Sequence, residues 1–485
     1  MILALLLAAA TADGPPELPA WMRSSAPDAV EFRPVRYQDA IRSVPAFARD
    51  MYATSVGHAI AYEAMERGQW STMEDRTYRT IRAVLSAPPR FAVDERALSP
   101  RFSRRQSSVE RVFEWAHALH FRTIDILAAP GLSPSERRRA MDAAWREYQA
   151  QPFALTGLPM SMAYLDGFPW SGNFRRRYPK VNALFWAYHW LQTANYDMLF
   201  ETPPATHRPQ YEVLGAQYRD AELDRVDRDF MPMMAEQSPR FALAYPQIAN
   251  AFDNLHMLHD QVNDLYATPG MAPAARDREI QHAIIRVLAS SHAGETPGEA
   301  TNLDLHDHRH PPSTPGMGFM KGSEDDVMFM SGMGWMDMSV CAHCSVPFEP
   351  DPAWGATVTA NGWTMRVRCI MCARDMASET PGRAVIRAAT EQPGQTLVLI
   401  SDDEGNWKSN LPGVRFVESG GEHPECHAWS KAFTTAAAAE AWRQSAGEDV
   451  PILDLTAWGQ LNRGKPETYR KINRPNPYRD SGDAR

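Results

Sequence analysis

Two closely spaced cysteine pairs, Cys341-x-x-Cys344 and Cys369-x-x-Cys372, constrain the fold more than any other feature of the sequence. All five cysteines lie between residues 341 and 426, so the count is odd. This pattern favours metal coordination over a disulfide framework. A hairpin between the pairs would bring four thiolates together, as tetrahedral zinc requires. The pairs therefore predict a small domain built around a metal ion.

The metal can be zinc or copper. A zinc ion that only stabilises the fold is one interpretation, since small domains can need such an ion to fold. Cu(I) is the other, because thiolates and thioethers are its preferred ligands. Further soft or imidazole ligands lie near the pairs: His343, Cys426 between His423 and His427, and Met330 and Met333 in a run with Met317, Met320, Met328, Met336 and Met338. Thiol exchange is a weaker reading, because no strand followed by a helix is evident around either pair.

The methionines belong to a Gly-, Pro-, His- and Met-containing segment, residues 293–338, with little periodicity. It is expected to be a linker or a metal-handling segment. Its residues 306–310, His-Asp-His-Arg-His, can capture Cu(II) or Zn(II), although such tracts are also common in solvated loops. The methionines also have an interpretation without a metal, in which their flexible side chains line a groove.

After residue 339 the pattern changes to mixed helix and strand. Alternating segments at 356–360 and 364–369 flank Asn361-Gly362, which favours a type I′ hairpin turn. Strands are predicted at 397–401, 414–418 and 451–455, and a helix at 435–445. A polar tail, expected to be extended, follows from residue 461.

The stretch from Cys341 to about Trp458 resembles NosL-type copper proteins, the periplasmic copper-delivery accessories of nitrous oxide reductase. The likeness is carried by the opening C-x-x-C, the segment Trp354-Gly355-Ala356, and residues 402–407, 414–418 and 432–439. The second cysteine pair is closer to treble-clef and TRASH-like modules. The resemblance implies a copper site that includes Cys341 and Cys344.

The N-terminal half resembles no family, and its pattern is helical. Helices are predicted from Pro45 to about Gly68, from Ser107 to Leu127, from Ser133 onward, from Pro179 to Leu199, from Pro246 to Tyr266, and near 275–290. We therefore expect the fold class α + α/β, with an N-terminal helical bundle followed by a small α+β metal-binding domain.

Four of these helices carry internal histidines: His58, His117 with His120, His189, and His256 with His259. Two of the histidines follow a carboxylate by three residues, in Glu114-x-x-His117 and Asp253-x-x-His256, which places both ligands on one helix face. Glu-x-x-His pairs are typical of di-metal bundles. Core histidines or a polar interhelical network explain the same pattern, so the motif is a candidate metal site only.

The first residues, Met1–Ala12, read as a short apolar run with an A-x-A cleavage site, which predicts a signal peptide and a periplasmic or secreted protein. The expected divisions are residues 1–12 as signal peptide, 13–292 as helical domain, 293–338 as linker, 339–460 as cysteine-rich domain and 461–485 as tail. The net charge of −9 argues against a nucleic-acid partner.

The sequence leaves three functions open. The first is an exported copper chaperone or sequestration protein, whose partner is the metal ion and then a cuproenzyme or a membrane metal transporter. The second is an enzyme, a carboxylate/histidine di-metal oxidase in the helical bundle, with a structural zinc in the C-terminal domain. The third is a zinc-stabilised scaffold.

Overall fold

The structure is a computed structural model that describes residues 22, 44–158, 168–201, 204–224, 231–292, 327–330, 334–337, 341, 343, 355–361, 363–380, 382–402, 405–419, 429–447 and 449–461. The described chain is mostly helical up to residue 292, and its strands follow after residue 326 in small antiparallel sheets. This agrees with the predicted order of a helical part followed by an α+β part.

Four helices of 22 or 23 residues form the framework of the helical part. They begin near proline or serine, as the sequence predicts, and end within two residues of the predicted positions. The described helices of this part are α1 (Pro45–Glu66), α2 (Tyr78–Ser86), α3 (Glu95–Leu98), α4 (Pro100–Arg105), α5 (Ser107–Ala128), α6 (Pro134–Gln149), α7 (Asn173–Arg177), α8 (Pro179–Glu201), α9 (His207–Gln217), α10 (Met234–Gln237), α11 (Pro239–Ala244), α12 (Pro246–Ala267) and α13 (Pro273–Val287).

Some of the described helix starts have a side-chain cap and others begin without one. The Ser133 hydroxyl accepts from the Glu136 N–H at the start of α6, while Glu136 accepts from the Ser133 N–H, which completes a capping box. At α5 the sequence Ser107-x-x-Glu110 has the pattern of a capping box, but no such box forms. Gln106 precedes the helix there without a side-chain cap.

Buried carboxylates on the long helices also hold the short helices in place. Each accepts backbone N–H groups from the first turn of a neighbour, where the helix itself supplies no partner. The acceptors are Glu63 for Arg101 and Phe102, Asp197 for Arg240 and Phe241, Asp253 for Met234, and Asp264 for Gly172 and Phe174. These contacts fix the long helices relative to the short ones.

The strands of the C-terminal part form two antiparallel sheets in addition to one short hairpin. The sheets have the strand orders β4-β3-β5-β6-β7 and β10-β8-β9. The elements are β1 (Val327–Met330), β2 (Gly334–Asp337), β3 (Ala356–Ala360), β4 (Trp363–Val367), α14 (Ile370–Glu379), β5 (Val385–Ala389), β6 (Thr396–Ser401), β7 (Trp407–Ser409), β8 (Arg415–Ser419), β9 (Trp429–Phe433), α15 (Ala436–Ala446), β10 (Ile452–Leu453) and α16 (Leu455–Gln460).

Each of these sheets contains the same ββαβ unit. In the first unit β3 pairs with β4 and β5, and α14 connects those two partners. In the second unit β8 pairs with β9 and β10, and α15 connects them. The hairpin turn between β3 and β4 places Asn361 at φ 51°, the left-handed conformation that a type I′ turn needs. The C-terminal part is therefore built from two copies of one supersecondary unit.

Buried polar contacts join the two units and attach them to the helical part. Arg374 on α14 forms an ion pair with Glu418 on β8 at 3.0 Å and also donates to the Trp458 carbonyl. Asn361 donates to the Leu243 carbonyl of α11 at 3.0 Å. The helical and α+β parts share one continuous apolar core.

Several predicted features lie outside the described residues. They are the signal peptide at 1–12, the histidine tract at 306–310, Met333, Cys344, His423, Cys426 and His427, and the tail after residue 461. Within the predicted linker, β1 and β2 pair as an antiparallel hairpin, Val327 opposite Asp337. Among the described residues, no helix combines the length and the apolar character that crossing a membrane requires.

Candidate metal centres

Six buried histidines from the four long helices lie together in the helical part. Each of these residues is at most 6 % exposed. They are His58 on α1, His117 and His120 on α5, His189 on α8, and His256 and His259 on α12. The three-residue spacing within α5 and within α12 puts both histidines of each helix on the side that faces the neighbouring helices.

The centre of this cluster is a triad from three different helices. The ligand nitrogens of His58, His189 and His259 all lie within 4.8 Å of one another. Nε2 of His58 is 3.0 Å from Nε2 of His189. Two imidazole nitrogens bound to one ion at about 2.0 Å, with an angle of roughly 90–110° between them, would lie about 2.9–3.3 Å apart. His58 and His189 therefore have the spacing of two ligands to a single ion, and the ligand nitrogen of His259 lies within 4.8 Å of both.

A second group shares His58 with the first. It consists of His58, Glu95 and His117, whose ligand atoms also lie within 4.8 Å of one another. Glu95 is the first residue of the short helix α3. Its carboxylate is hydrogen-bonded to Nδ1 of His117 at 2.9 Å. The buried Nε2 of His117 has no hydrogen-bond partner. Glu95 can thus bind an ion itself or orient His117 towards one.

The outward-facing nitrogens of the histidines are held by hydrogen bonds. Nδ1 of His189 donates to the Phe185 carbonyl at 2.7 Å, which leaves Nε2 unprotonated and able either to accept from Nε2 of His58 or to bind an ion. Tyr62 and Tyr196 bond to Nδ1 of His259 and of His120, both at 2.7 Å. Metal-ligating histidines typically use their second nitrogen in this way, because the hydrogen bond fixes the ring orientation.

Other ring nitrogens of the cluster lack partners, apart from Nε2 of His58 and Nε2 of His189, which lie within hydrogen-bonding distance of each other. The buried nitrogens without a hydrogen bond include Nε2 of His117, His120, His256 and His259, together with Nδ1 of His58 and His256. Leaving a buried polar atom unsatisfied costs about 1–3 kcal/mol. Several such atoms in one cluster would use up much of the net stability of a domain. A bound ion would satisfy them.

Burial also keeps these imidazoles in the form that binds metals. It lowers the pKa of His58, His120, His189 and His259 well below the ordinary value, and the neighbouring imidazoles lower it further. Burial lowers the pKa of His256 to about 3, although the Pro232 carbonyl nearby opposes the shift. These five imidazoles are therefore neutral near pH 7, with lone pairs available to an ion.

The two carboxylates of the predicted motifs have other partners. Glu114 is 3.0 Å from the Arg96 guanidinium, and burial raises the pKa of Glu114 to about 7. Asp253 accepts from the Met234 N–H at 2.8 Å. Of the four motif residues, the structure brings His117 into a ligand group and places His256 beside His189, with ring centroids 4.8 Å apart. Among described residues, neither Glu114 nor Asp253 joins a ligand group.

Two of the described cysteines, Cys369 and Cys372, form a second candidate centre, and Cys341 does not lie within 4.8 Å of both of their sulfurs. Cys341, Cys369 and Cys372 are fully buried and none of the three forms a disulfide, and Sγ of Cys369 lies 3.7 Å from Sγ of Cys372. Two sulfurs on one tetrahedral zinc ion, at about 2.3 Å each, would lie roughly 3.8 Å apart. The Cys369–Cys372 pair therefore has the spacing of two ligands to one ion.

Backbone N–H groups surround the same sulfurs. Sγ of Cys341 accepts from the N–H groups of His343, at 3.4 Å, and Arg368, at 3.1 Å. The pKa of Cys369 is lowered by hydrogen bonds from the Cys372 thiol and from the N–H groups of Cys372 and Ser430, although burial opposes the shift. These donors favour thiolates, the form that binds metal.

The position of the second pair differs from the expectation in one respect. Strand β4 runs directly into Cys369, which caps α14, and Cys372 lies in the first turn. This is the strand-then-helix setting that the sequence analysis did not detect. Thiol exchange also needs access to solvent, and both sulfurs are buried. The geometry therefore still favours metal binding over redox exchange.

The remaining predicted ligands fall into two classes. His343 contacts Arg240 of α11 through Nε2 and lies 3.8 Å from Asp375, so it bridges the two parts of the chain. For Met330 the structure describes only the backbone, in β1. Cys344, Cys426, His423, His427 and Met333 lie outside the described residues.

Sequence reasoning placed histidines on all four helices but did not select His58, His189 or His259 as ligands, and it missed Glu95. The signal for the three histidines was their shared position in the middle of long helices. Glu95 gave no signal, because it lies on a four-residue helix without periodicity.

Comparisons of the chain with protein-family models, curated proteins and solved structures returned no match. The two candidate centres are therefore the features of the molecule that bear on its function.

Proposed function

We propose that this is a copper-binding protein whose helical bundle holds an ion at His58, His189 and His259. One observation carries the proposal: three imidazole nitrogens from three different helices converge within 4.8 Å, and two of them are 3.0 Å apart. The three helices are distant in sequence, so tertiary packing must bring these nitrogens together. A metal ion bound between them would stabilise the arrangement.

The charge of the site favours copper over zinc. The triad is neutral, and Glu95 is the anionic member of the neighbouring group. An isolated divalent charge is expensive to bury, whereas Cu(I) brings a single charge. Imidazole is a good ligand for copper in both oxidation states as well as for zinc. Copper is therefore our first choice of metal and zinc the second.

The C-terminal part would hold its own ion through Cys341, Cys344, Cys369 and Cys372. The order of the described elements, a cysteine, a β-hairpin and then a helix capped by Cys369, supports the likeness to treble-clef modules. In our proposal this module, similar to the NosL type, binds zinc or Cu(I) in an exported protein. A cuproenzyme or a membrane metal transporter would then be the partner of a transfer role.

The test is the metal content of the purified chain, with variants that separate the two centres. His58→Gln should remove the ion of the helical part, and Cys369→Ser with Cys372→Ser should remove the ion of the C-terminal part. His282→Gln is the matched control, because His282 is partly exposed on α13 and pairs with Glu279. Mass spectrometry should find copper that is lost in His58→Gln. Equal copper in this variant and in the control would overturn the proposal.

An oxidase is the second candidate function. Three histidine ligands leave a coordination position open, as in catalytic metal sites. Azide added to the copper(II)-loaded protein should then change its visible spectrum, and His58→Gln should abolish the change. A spectrum that does not respond to azide would leave the binding protein as the only candidate.

A further inference from the structure

We propose a second metal position in the helical part, a two-coordinate Cu(I) site between His120 on α5 and His256 on α12. The inference rests on the proposed function in that it assigns a further ion to the same histidine cluster. It uses two side chains that are not members of either three-ligand group.

Both side chains are fully buried and carry ring nitrogens without partners. His120 leaves Nε2 unpaired, and neither ring nitrogen of His256 makes a hydrogen bond of good geometry. One face of the His120 ring is covered by an apolar side chain, since Phe252 lies flat against it with 3.5 Å between centroids. Unpaired lone pairs in such a place are costly.

The spacing of the two rings suits a linear ion. The ring centroids of His120 and His256 are 6.3 Å apart, and the rings are within 20° of parallel. Two imidazoles on opposite sides of one ion, each nitrogen at about 2.0 Å, would have their centroids about 6.2 Å apart. Cu(I) accepts two ligands in a line, whereas zinc almost always requires four. The position should therefore select Cu(I).

Hydrogen bonds fix the orientation of one of the two ligands, His120. Tyr196 bonds to Nδ1 of His120 at 2.7 Å and also to Thr123 at 3.1 Å, so that the opposite nitrogen, Nε2, is directed away from these partners. His256 also contacts His189, with centroids 4.8 Å apart, and His189 belongs to the triad. The second position is thus adjacent to the first, and together they would make a two-ion centre.

The experiment counts zinc and Cu(I) separately on the full-length chain. Wild-type protein is loaded with Zn(II) alone and, in a second sample, with Cu(I) under a reductant. His120→Gln and His256→Gln should each bind one Cu(I) fewer than wild type and the same amount of zinc. His58→Gln should lose one ion of both metals, and His282→Gln should lose neither.

The outcomes separate the two proposals. Unchanged Cu(I) in both His120→Gln and His256→Gln overturns the second position while leaving the triad intact. A loss of zinc together with Cu(I) in these variants overturns the two-coordinate assignment. No loss of either metal in His58→Gln overturns the proposed function itself.

A measurement on wild-type protein covers the case in which the variants do not fold. Protein first saturated with Zn(II) is titrated with Cu(I), and released zinc is measured. One Cu(I) taken up without zinc release, with the X-ray absorption edge of a two-coordinate ion, is the expected result. Uptake only by displacement of zinc would overturn the second position.

Discussion

At the scale of single residues, the side chains that orient the ligands should matter nearly as much as the ligands. Tyr62 bonds to Nδ1 of His259 at 2.7 Å and is itself fully buried. Losing such an orienting hydrogen bond typically weakens metal affinity by about 10–100-fold. We expect this loss in Tyr62→Phe, measured by competition with a chelator of known affinity.

The control for this variant is Tyr52→Phe, because Tyr52 lies on the same helix and packs against Phe121 with ring centroids 6.1 Å apart. It should bind copper like wild type. Equal affinities in Tyr62→Phe and Tyr52→Phe would show that the hydrogen bond to His259 does not orient a ligand.

The buried histidines also predict how the metal-free protein responds to pH. His256 takes up a proton below about pH 6.5 when unfolded, but its folded pKa is about 3. Between these values the unfolded state binds more protons, so the free energy of unfolding decreases as the pH falls from 6.5 towards 3. His256→Gln lacks this contribution, and its stability should decrease less steeply.

Urea unfolding of the metal-free proteins, from about pH 7 to about pH 4, measures the difference in slope. Parallel pH profiles for wild type and His256→Gln would contradict the low pKa.

At the scale of elements, Asp253 belongs to the packing of α10 rather than to the metal centre. It accepts from the Met234 N–H at 2.8 Å. Loss of a helix cap usually costs about 0.5–2 kcal/mol. Asp253→Ala should therefore lower the melting temperature while the metal content stays at the wild-type level. A drop of one ion per chain in this variant would restore Asp253 as a ligand.

The same elements show what the sequence could and could not predict. The periodicity and the prolines located the long helices, and with them the histidines. Asp253 and His256 lie on the same helix, as their spacing indicates. The Asp253 carboxylate, however, accepts a hydrogen bond from the Met234 N–H, which belongs to a different element. Glu114 is likewise used by Arg96. Partners of this kind are fixed by tertiary contacts, which helical spacing does not reveal.

Helix α14 was not predicted, although its cysteines were the strongest signal in the chain. Its ten residues are short for a periodic pattern, and Cys369 and Cys372 occupy its cap and first turn. In the second ββαβ unit Thr435 caps α15 and accepts from the Ala438 N–H. Cys369 in the first unit and Thr435 in the second thus occupy the same N-cap position. This correspondence becomes evident only when the strand orders of the two sheets are compared.

At the scale of the whole molecule, the C-terminal part depends on a buried ion pair that joins its two units. Arg374 contacts Glu418 at 3.0 Å, and its guanidinium lies 5.2 Å from the Trp458 ring centroid. Both charged side chains are at most 2 % exposed. Removing one partner of a buried pair costs about 3–5 kcal/mol, because the other charge stays unpaired. Arg374→Ala should therefore destabilise the region that surrounds the cysteines.

The consequence is measurable as metal release on heating. In Arg374→Ala the cysteine-bound ion should be released at a lower temperature than in wild type, as followed with a metal-sensitive dye. The control is Arg415→Ala, since Arg415 lies in the same strand as Glu418 and donates to the carbonyls of Gly413 and Val414 near the surface. Because the core is continuous between the two parts, release from the histidine cluster should move to lower temperature as well, by a smaller amount. An unchanged release temperature for the cysteine site would mean that the two ββαβ units do not stabilise each other through Arg374.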